Sequence, residues 1–287
     1  MILAFRQQKY DLSQRTLIMG ALNVTPDSFS DGGLFFDLEK AVARGRQMAA
    51  EGADLIDIGG ESTRPGAKPL DEEEELRRVI PLIRALRQEI NIPISVDTRK
   101  ARVAEESLAA GAEMINDVSA LRFDKRMVDV VREAKVPVVL MHMRGDPETM
   151  QLNTHYDDLL GEIFSFLKER IIFAEDHGIS AEKIIIDPGL GFGKSLEEGH
   201  NLLILKYLQK FRELGKPLLV GPSRKAFIGR ILNLPPLERE EGTMAAVAIA
   251  ILNGANIVRV HEVARMGRVV KVADAILRCD HQRLTPE

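Results

Sequence analysis

Polar side chains that can bind a ligand recur directly after short apolar runs along the whole chain. In one case Asp187 ends the run 184–186 and precedes three alternating glycines. The positions after the other runs hold Asn23, Glu61 to Arg64, Asp97, Arg99, Asn116, Asp117, His142, Ser223 to Lys225, Arg259 and His261. Any one of them could cap a helix, but polar groups withdrawn from water need partners. Their repetition therefore predicts a polar ligand.

These residues form two chemical groups. One group has two carboxylates, an amide and an ammonium: Asp97, Asn116, Asp187 and Lys225. It can pair with a flat heterocycle that has N–H donors on one edge and a carbonyl on another, because carboxylates bind adjacent N–H groups in a bidentate manner. The other group has an amide, a fixed cation and an imidazole, which suit a phosphate or a metal-bound anion: Asn23, Arg259 and His261.

The glycines that follow Asp187 do not match the known phosphate loops. A Walker motif would need glycine where the chain has Pro188, and a dinucleotide fingerprint would need glycine at Lys194 or Leu196. The glycines either form an ordinary turn or let the backbone pass closely beneath a flat ligand, with Phe192 at the ligand's edge.

Composition and spacing exclude several classes of function. A formal charge of -4 without long basic runs argues against a nucleic-acid partner. The longest apolar run, 244–252, is too short for a membrane span. Zinc-site spacing is absent, and His142 is either a core histidine or a ligand contact. The single cysteine, Cys279, excludes an intrachain disulfide and fits a reducing compartment, so we expect a soluble cytoplasmic protein.

Short apolar runs alternate with longer amphipathic segments. The predicted strands are 16–22, 54–58, 94–96, 113–115, 137–141, 183–186, 217–220 and 256–260, and the predicted helices are 39–51, 72–90, 100–110, 124–134, 157–177, 197–213, 238–253 and 263–278. Asp71, and Ser195 with Glu198, are predicted to cap two of the helices. Eight such repeats favour an α/β fold of the closed (β/α)₈ TIM-barrel type over an open sheet, with the ligand site at the C-terminal ends of the strands.

The domain prediction is a single domain over 1–287. Within it, residues 1 to about 15 form an N-terminal extension and residues from about 280 to 287 form a short C-terminal tail.

Seven motifs lie at the predicted strand ends: 19–33, 57–66, 95–98, 115–119, 187–194, 223–225 and 258–261. Together they resemble the motifs of the dihydropteroate synthase family of pterin-binding enzymes, and the resemblance extends from about Leu17 to Arg278. It implies a TIM-barrel transferase of folate biosynthesis that joins 6-hydroxymethyl-7,8-dihydropterin diphosphate to p-aminobenzoate. The products are 7,8-dihydropteroate and pyrophosphate, and the substitution is dissociative.

The resemblance also implies roles for individual residues. The pterin would be bound by Asp97, Asn116, Asp187, Lys225, Arg259, Met141, Phe192 and Gly221. The diphosphate would be bound by Asn23, Arg64, Arg259 and His261, with Mg²⁺ as cofactor and Asn23 as its ligand. The p-aminobenzoate would be bound by Thr63, Arg64, Pro65, Phe29, Phe192, Lys225 and Ala226. The residues implied in catalysis are Asp97, Lys225, Arg259, His261 and Asp31.

Two residues depart from the pattern that many relatives share. Ala226 stands where a serine hydroxyl can meet the carboxylate of p-aminobenzoate, so this contact would fall to backbone N–H groups at the start of the following helix. Glu262 stands where aspartate is common, and we assign it no role. The resemblance further implies inhibition by sulfonamides and a homodimer.

Two alternatives stay open from the sequence. One is a barrel that transfers a methyl group from methyltetrahydrofolate to a corrinoid protein, which would not need the loops 23–33 and 61–66. The other is a catalytically silent pterin-binding partner, for which loss of Asn23, Arg64, Lys225 or Arg259 is expected, yet all four are present.

Overall fold

The structure, a computed structural model, describes residues 1–24, 33–62, 66–67 and 69–279. The strands in these ranges are β1 (Ile2–Ala4), β2 (Lys9–Asp11), β3 (Leu17–Asn23), β4 (Leu55–Gly59), β5 (Ile94–Asp97), β6 (Met114–Asp117), β7 (Val138–Met141), β8 (Ile184–Asp187), β9 (Leu219–Val220) and β10 (Ile257–Val260). The first two form an antiparallel hairpin. The other eight form one sheet, in the order β8-β7-β6-β5-β4-β3-β10-β9.

The eight-stranded sheet closes into a ring. Every pairing within it is parallel. Its two outer strands, β8 and β9, meet where Ile186 N donates to Pro217 O at 2.9 Å and Ile186 pairs with Leu218. This closure confirms the predicted (β/α)₈ barrel. Strands that are buried on both faces, as here, can be apolar along almost their whole length.

The helices of the described part of the chain are α1 (Gly33–Ala50), α2 (Glu72–Glu89), α3 (Ala101–Ala110), α4 (Met127–Ala134), α5 (Leu159–Asp176), α6 (His200–Lys206), α7 (Ala226–Leu232), α8 (Glu240–Leu252) and α9 (Val263–Leu277). In this part of the chain, no helix combines the length and the apolarity that crossing a membrane requires. The predicted cap at Asp71 is confirmed, because its carboxylate accepts from Glu73 N at 2.9 Å.

Two helix predictions are wrong. The segment 197–213 is not one helix, since α6 is followed by a 3₁₀-helix at Leu208–Leu214. Ser195 Oγ accepts from Glu198 N at 3.0 Å, so this pair closes the turn before α6 and does not cap the helix itself. The short helix α7 was missed, because its seven residues are too few for a helical period to be visible.

The residues predicted as an N-terminal extension are part of the core. Leu3, Phe5 and Leu12 pack against apolar side chains at the N-terminal ends of the barrel strands, namely Leu17, Met19, Leu55, Met114, Val139, Ile185, Leu219 and Ile257. The hairpin is also held by Arg6 N, which donates to the Glu113 carboxylate at 2.9 Å. The β1-β2 hairpin therefore closes the end of the barrel opposite the strand-end residues.

We expect Leu3→Ala to lower the free energy of unfolding by about 2–5 kcal/mol, because Leu3 is fully buried and its truncation leaves a cavity. Urea denaturation would measure the loss. The matched control is Ile2→Ala, since the neighbouring Ile2 is 51% exposed. Equal losses for the two variants would contradict the role of the hairpin in the core.

Candidate active site

The barrel brings the predicted ligand-binding residues that the structure describes to one opening. This opening, at the C-terminal ends of the parallel strands, is called the mouth below. Asp97 pairs in register with Asn116 across β5 and β6, and Met141 pairs with Asp187 across β7 and β8. Asn23 ends β3 and pairs with Gly59, which itself pairs with Asp97. Because all these strands are parallel, their C-terminal ends meet at the same end of the barrel.

A buried ion cluster lies at the centre of this mouth. Arg259 Nε donates to Asp57 Oδ2 at 2.6 Å, and the other end of the guanidinium donates to Asp97 Oδ2 at 3.3 Å. Asn116 Nδ2 donates to Asp57 Oδ2 at 3.0 Å. Arg259 is thus held between two carboxylates, and one of these carboxylates also holds Asn116.

Asp57 is a site residue that the strand-end analysis missed. It lies inside β4, before the end of the strand, and its side chain is fully buried. The signal in the sequence is a carboxylate within an otherwise apolar strand, Leu-Ile-Asp-Ile-Gly. Such a residue needs a buried partner, which here is Arg259.

The electrostatics of the mouth disfavour a charged Asp97. Burial, followed by the nearby charge of Asp57, raises the pKa of Asp97 to about 8, against the opposing charge of Arg259. In the ligand-free protein near neutral pH, the Asp97 carboxyl therefore holds a proton. A ligand that donates hydrogen bonds to it would favour the ionised form.

Asp187 and Lys225 lie on the other side of the mouth. Burial raises the pKa of Asp187 to about 6, against a hydrogen bond from Gly189 N at 2.7 Å and the charge of Lys225. Burial also lowers the pKa of Lys225 to about 8, against the charge of Asp187. The Lys225 ammonium lies 4.3 Å from the centre of the Phe192 ring, a cation–π contact that places the ring beside the cation.

His261 and Asn23 form the rest of the mouth. The Ser223 hydroxyl lies 2.9 Å from His261 Nδ1 and so orients the imidazole. His261 follows Arg259 by two residues and comes directly after β10, at the same end of the barrel. A Cβ atom at Gly59 would lie 3.2 Å from Asn23 Oδ1, so glycine at this position leaves room beside the amide.

The other predicted contacts that the structure describes lie at the same end of the barrel. Met141 is buried in a cluster with Val118, Met143 and Met150, against which the half-buried Phe192 packs. Gly221 follows β9, and a Cβ atom there would lie 3.7 Å from the Cβ of Arg259. Ala226 is the exposed first residue of α7. The predicted residues Phe29, Asp31, Thr63, Arg64 and Pro65 lie outside the described residues.

Several strand-end residues bind other parts of the protein. Glu61 pairs with Arg99 at 3.2 Å and with Lys100. Asp117 accepts from Ser119 N and Leu121 N and so shapes its own loop. These side chains position the backbone around the mouth.

His142 and Glu262 have structural partners. His142 is buried, and its Nδ1 lies 2.9 Å from Lys194 Nζ. Burial, followed by the charges of Lys194 and Arg122, lowers its pKa well below the usual value, so the core-histidine alternative fits. Glu262, to which we assigned no role, accepts from Arg224 at 2.8 Å and ties the loop after β10 to the loop after β9.

Comparison with known proteins identifies this barrel. The model of the pterin binding enzyme family matches residues 19–261. The dihydropteroate synthase of Synechocystis sp. is 50% identical over 273 residues, which make up 95% of this chain and 94% of that protein. The chain belongs to the dihydropteroate synthase family.

Solved structures of dihydropteroate synthases have the same fold. The enzyme of Yersinia pestis in a sulfonamide drug complex matches with a TM-score of 0.91 and 44% identity, over 97% of this chain and 100% of the other. The enzyme of Xanthomonas albilineans in complex with 7,8-dihydropteroate matches with a TM-score of 0.87 and 43% identity, over 98% and 100%. As a dihydropteroate synthase, the chain is a transferase of folate synthesis, and the methyltransferase alternative is not favoured.

We expect Asp97→Asn to raise the melting temperature of the ligand-free synthase, and to raise it more at about pH 8 than at about pH 5. The folded-state pKa of Asp97 is raised from 3.8 to about 8. Between these values the folded state holds a proton that the unfolded state releases, so wild-type stability falls as pH rises through this window. Asparagine carries no charge and avoids this loss. Thermal unfolding followed by circular dichroism would measure both shifts.

The control for this experiment is Asp129→Asn, because the Asp129 side chain is 53% exposed on α4. Its effect on the melting temperature should be the same at both pH values. A gain for Asp97→Asn that does not grow with pH would contradict the raised pKa of Asp97.

Proposed function

We propose that the mouth binds 6-hydroxymethyl-7,8-dihydropterin diphosphate and p-aminobenzoate and joins them to give 7,8-dihydropteroate and pyrophosphate. The observation that carries this proposal is the position of Arg259. Its guanidinium is bonded to the carboxyl groups of Asp57 and Asp97, and His261 follows Arg259 by two residues, directly after β10. A ring-binding half and an anion-binding half therefore meet at one cation.

The pterin ring would pair with the carboxylate half. Asp187 would accept from the ring N3–H and the 2-amino group, a bidentate contact for one carboxylate. Asp97 and Asn116 would bind the other polar edge of the ring, and Lys225 would donate to the carbonyl. Arg259 would stack over the ring, since a guanidinium is planar and stacks on flat π-systems.

Apolar groups would complete the ring site. Met141 is buried at the end of β7, and Phe192 packs on the same cluster, so both can contact the ring. The absence of a side chain at Gly221 keeps space open in front of Arg259.

The diphosphate would lie against the cationic half, with Arg259 and His261 donating to its oxygens and Asn23 beside it. The proposed cofactor Mg²⁺ prefers oxygen ligands and often takes several of them from substrate phosphates and water. The Asn23 amide oxygen fits as a single protein ligand. Among the described residues, no group of three or more His, Cys, Asp and Glu could hold a metal ion by itself. When bound, the ion would supply positive charge to the leaving diphosphate.

We propose a dissociative substitution. The bond between the pterin methylene carbon and the diphosphate oxygen breaks, and its electron pair leaves with pyrophosphate, whose charge Arg259 and His261 stabilise. The methylene becomes cationic and conjugated with the ring, which nearby carboxylates such as Asp97 favour. The arylamine nitrogen of p-aminobenzoate then forms the new C–N bond and loses a proton.

The p-aminobenzoate would lie on the outer side of the pterin, near Phe192, Lys225 and Ala226. Phe29, Asp31, Thr63, Arg64 and Pro65 remain proposed contacts or catalytic groups on the loops outside the described residues. Sulfonamides would take the same position, and this is supported by the sulfonamide drug complex of the Yersinia pestis relative.

We also propose a cytoplasmic homodimer. Large apolar side chains are exposed on α7, α8 and α9, including Ile231 at 61%, Val272 at 61% and Ile276 at 62%. Exposed apolar surface of this kind marks interaction sites, and in a two-fold dimer one patch can cover itself. The single cysteine, Cys279, is a free thiol in this structure, which fits a reducing compartment.

The function is tested by pyrophosphate release from purified protein supplied with the dihydropterin diphosphate and Mg²⁺. We expect release to require p-aminobenzoate and to match dihydropteroate formation one to one, because the proposed site excludes water while the cation exists. A sulfonamide should raise the concentration of p-aminobenzoate needed for half-maximal rate. Equal release with and without p-aminobenzoate would contradict the proposal.

We expect Lys225→Ala to lower turnover about 10- to 100-fold, the equivalent of losing one hydrogen bond to a charged group in a buried site. Steady-state kinetics with both substrates varied would measure the loss. Lys168→Ala is the control, because Lys168 is exposed on α5. Near-normal turnover in Lys225→Ala would show that this lysine does not contact the pterin.

A further inference from the structure

We propose that Lys194 is a positioning residue for the pterin site. Its ammonium group fixes the glycine loop, residues 188–193, and so orients the Asp187 carboxylate and the Phe192 ring. The inference rests on the proposed pterin contact of Asp187. Lys194 does not face the substrate in this account and acts only through the loop.

The surroundings of Lys194 are unusual for a lysine. Its side chain is fully buried, whereas lysines are almost never fully buried without a charged partner. In the described ranges, it forms no ion pair with a carboxylate. Its Nζ lies 3.1 Å from Gly189 O, 2.9 Å from Phe192 O and 2.9 Å from His142 Nδ1. An ammonium has three N–H donors, so each has one acceptor.

The two carbonyls that Lys194 binds belong to Gly189, two residues after the proposed contact Asp187, and to Phe192, itself a proposed contact. The same Gly189 whose carbonyl accepts from Lys194 donates its N–H to Asp187 Oδ1 at 2.7 Å. Phe192, whose carbonyl is the second acceptor, carries the ring that contacts Lys225 Nζ at 4.3 Å. Without the Lys194 ammonium, the loop would lose one hydrogen bond at Gly189 and another at Phe192. The backbone next to Asp187 and the backbone of Phe192 would then both be less constrained.

The glycine loop packs closely against the residue that follows β7. Gly189 has a φ of +72°, and a Cβ atom there would lie 1.9 Å from His142 O, so the loop lies directly on the end of β7. Lys194 also bonds to His142 Nδ1, which joins the same strand end to the loop from the other side. Its ammonium therefore links two carbonyls of the glycine loop to the His142 side chain, which follows β7, and we infer that this spacing orients Asp187.

Other contacts hold the loop at its edges. Gly191 N donates to Asn201 Oδ1 at 2.7 Å, and Tyr156 donates its hydroxyl proton to Gly193 O at 2.8 Å. Neither of these bonds involves Lys194 or Asp187. They keep the loop attached to the barrel when Lys194 is changed, so a variant can fold while the carboxylate loses its orientation.

The energetic cost of burying Lys194 helps to distinguish a stabilising role of this lysine from a positioning role. Burial lowers the pKa of Lys194 to about 7, so the fold disfavours its charge even though the charge of Asp187 partly compensates. Replacement of a buried charge by an apolar side chain of similar volume is often neutral or stabilising. The buried charge of Lys194 therefore does not account for its presence as a stabilising group. Its hydrogen bonds to the loop account for its presence as a positioning group.

The test compares Lys194→Met with the wild type by calorimetry of two separate ligands, 6-hydroxymethylpterin and inorganic pyrophosphate. We expect the Kd of the pterin to rise about 10-fold and the Kd of pyrophosphate to stay within about twofold, because pyrophosphate binds the other half of the mouth. Lys194→Gln keeps two N–H donors and should lie between the two proteins. It also carries the test if the methionine variant does not fold.

The control is Lys206→Met, since Lys206 is exposed on α6 and should leave both affinities unchanged. Equal weakening of both ligands, or unchanged pterin affinity in a folded variant, would overturn the inference. Asp187→Asn separates this outcome from failure of the proposed function. If Asp187→Asn weakens pterin binding and the Lys194 variants do not, only the role of Lys194 is wrong. If Asp187→Asn has no effect, the proposed pterin site itself is wrong.

Discussion

The guanidinium of Arg259 lies between Asp57 and Asp97 at the centre of the mouth, and the other features of the site depend on this contact. A largely buried cation requires a buried anion, which here is Asp57, and the Asp97 carboxyl group accepts a second hydrogen bond from the guanidinium. The arrangement leaves Arg259 little freedom to move. It also brings together residues from β4, β5 and β10, which are far apart in the sequence, and through Asp57 it fixes Asn116 on β6.

Burial of ionisable groups at the mouth lowers the stability of the ligand-free protein. Burial raises the pKa values of Asp97 and Asp187 and lowers that of Lys225, so each of these groups is less favourably charged here than in water. A fold can retain such groups when the rest of the core is stable enough. Here the closed ring of strands and the buried β1-β2 hairpin supply that stability from the opposite end of the barrel. The proposed substrate would return the missing partners, with N–H donors for the carboxylates and oxygen acceptors for the cations.

Two kinds of polar residue surround the mouth. Asp97, Asn116, Asp187, Lys225, Arg259 and His261 are the proposed ligand contacts, and they carry the proposed chemistry. Glu61, Asp117, Lys194 and Glu262 instead bind neighbouring loops and hold the backbone in place. Both kinds follow strands in the same way, since a loop at a barrel mouth needs internal hydrogen bonds as much as a ligand does. For this reason a strand-end position alone does not distinguish a ligand contact from a support.

The sequence by itself determined the barrel and the polar residues that follow its strands. Apolar runs of strand length, separated by amphipathic segments, require a parallel sheet covered by helices, and parallel strands bring their following residues to one end. Local patterns could not show which distant groups pair. The partnership of Asp57 with Arg259, the burial of Lys194 against His142 and the packing of the β1-β2 hairpin across one end of the barrel were decided only by the tertiary structure. Each of these contacts joins segments that are remote in the chain, and such contacts leave no periodic signal because they depend on how the closed ring brings the segments together.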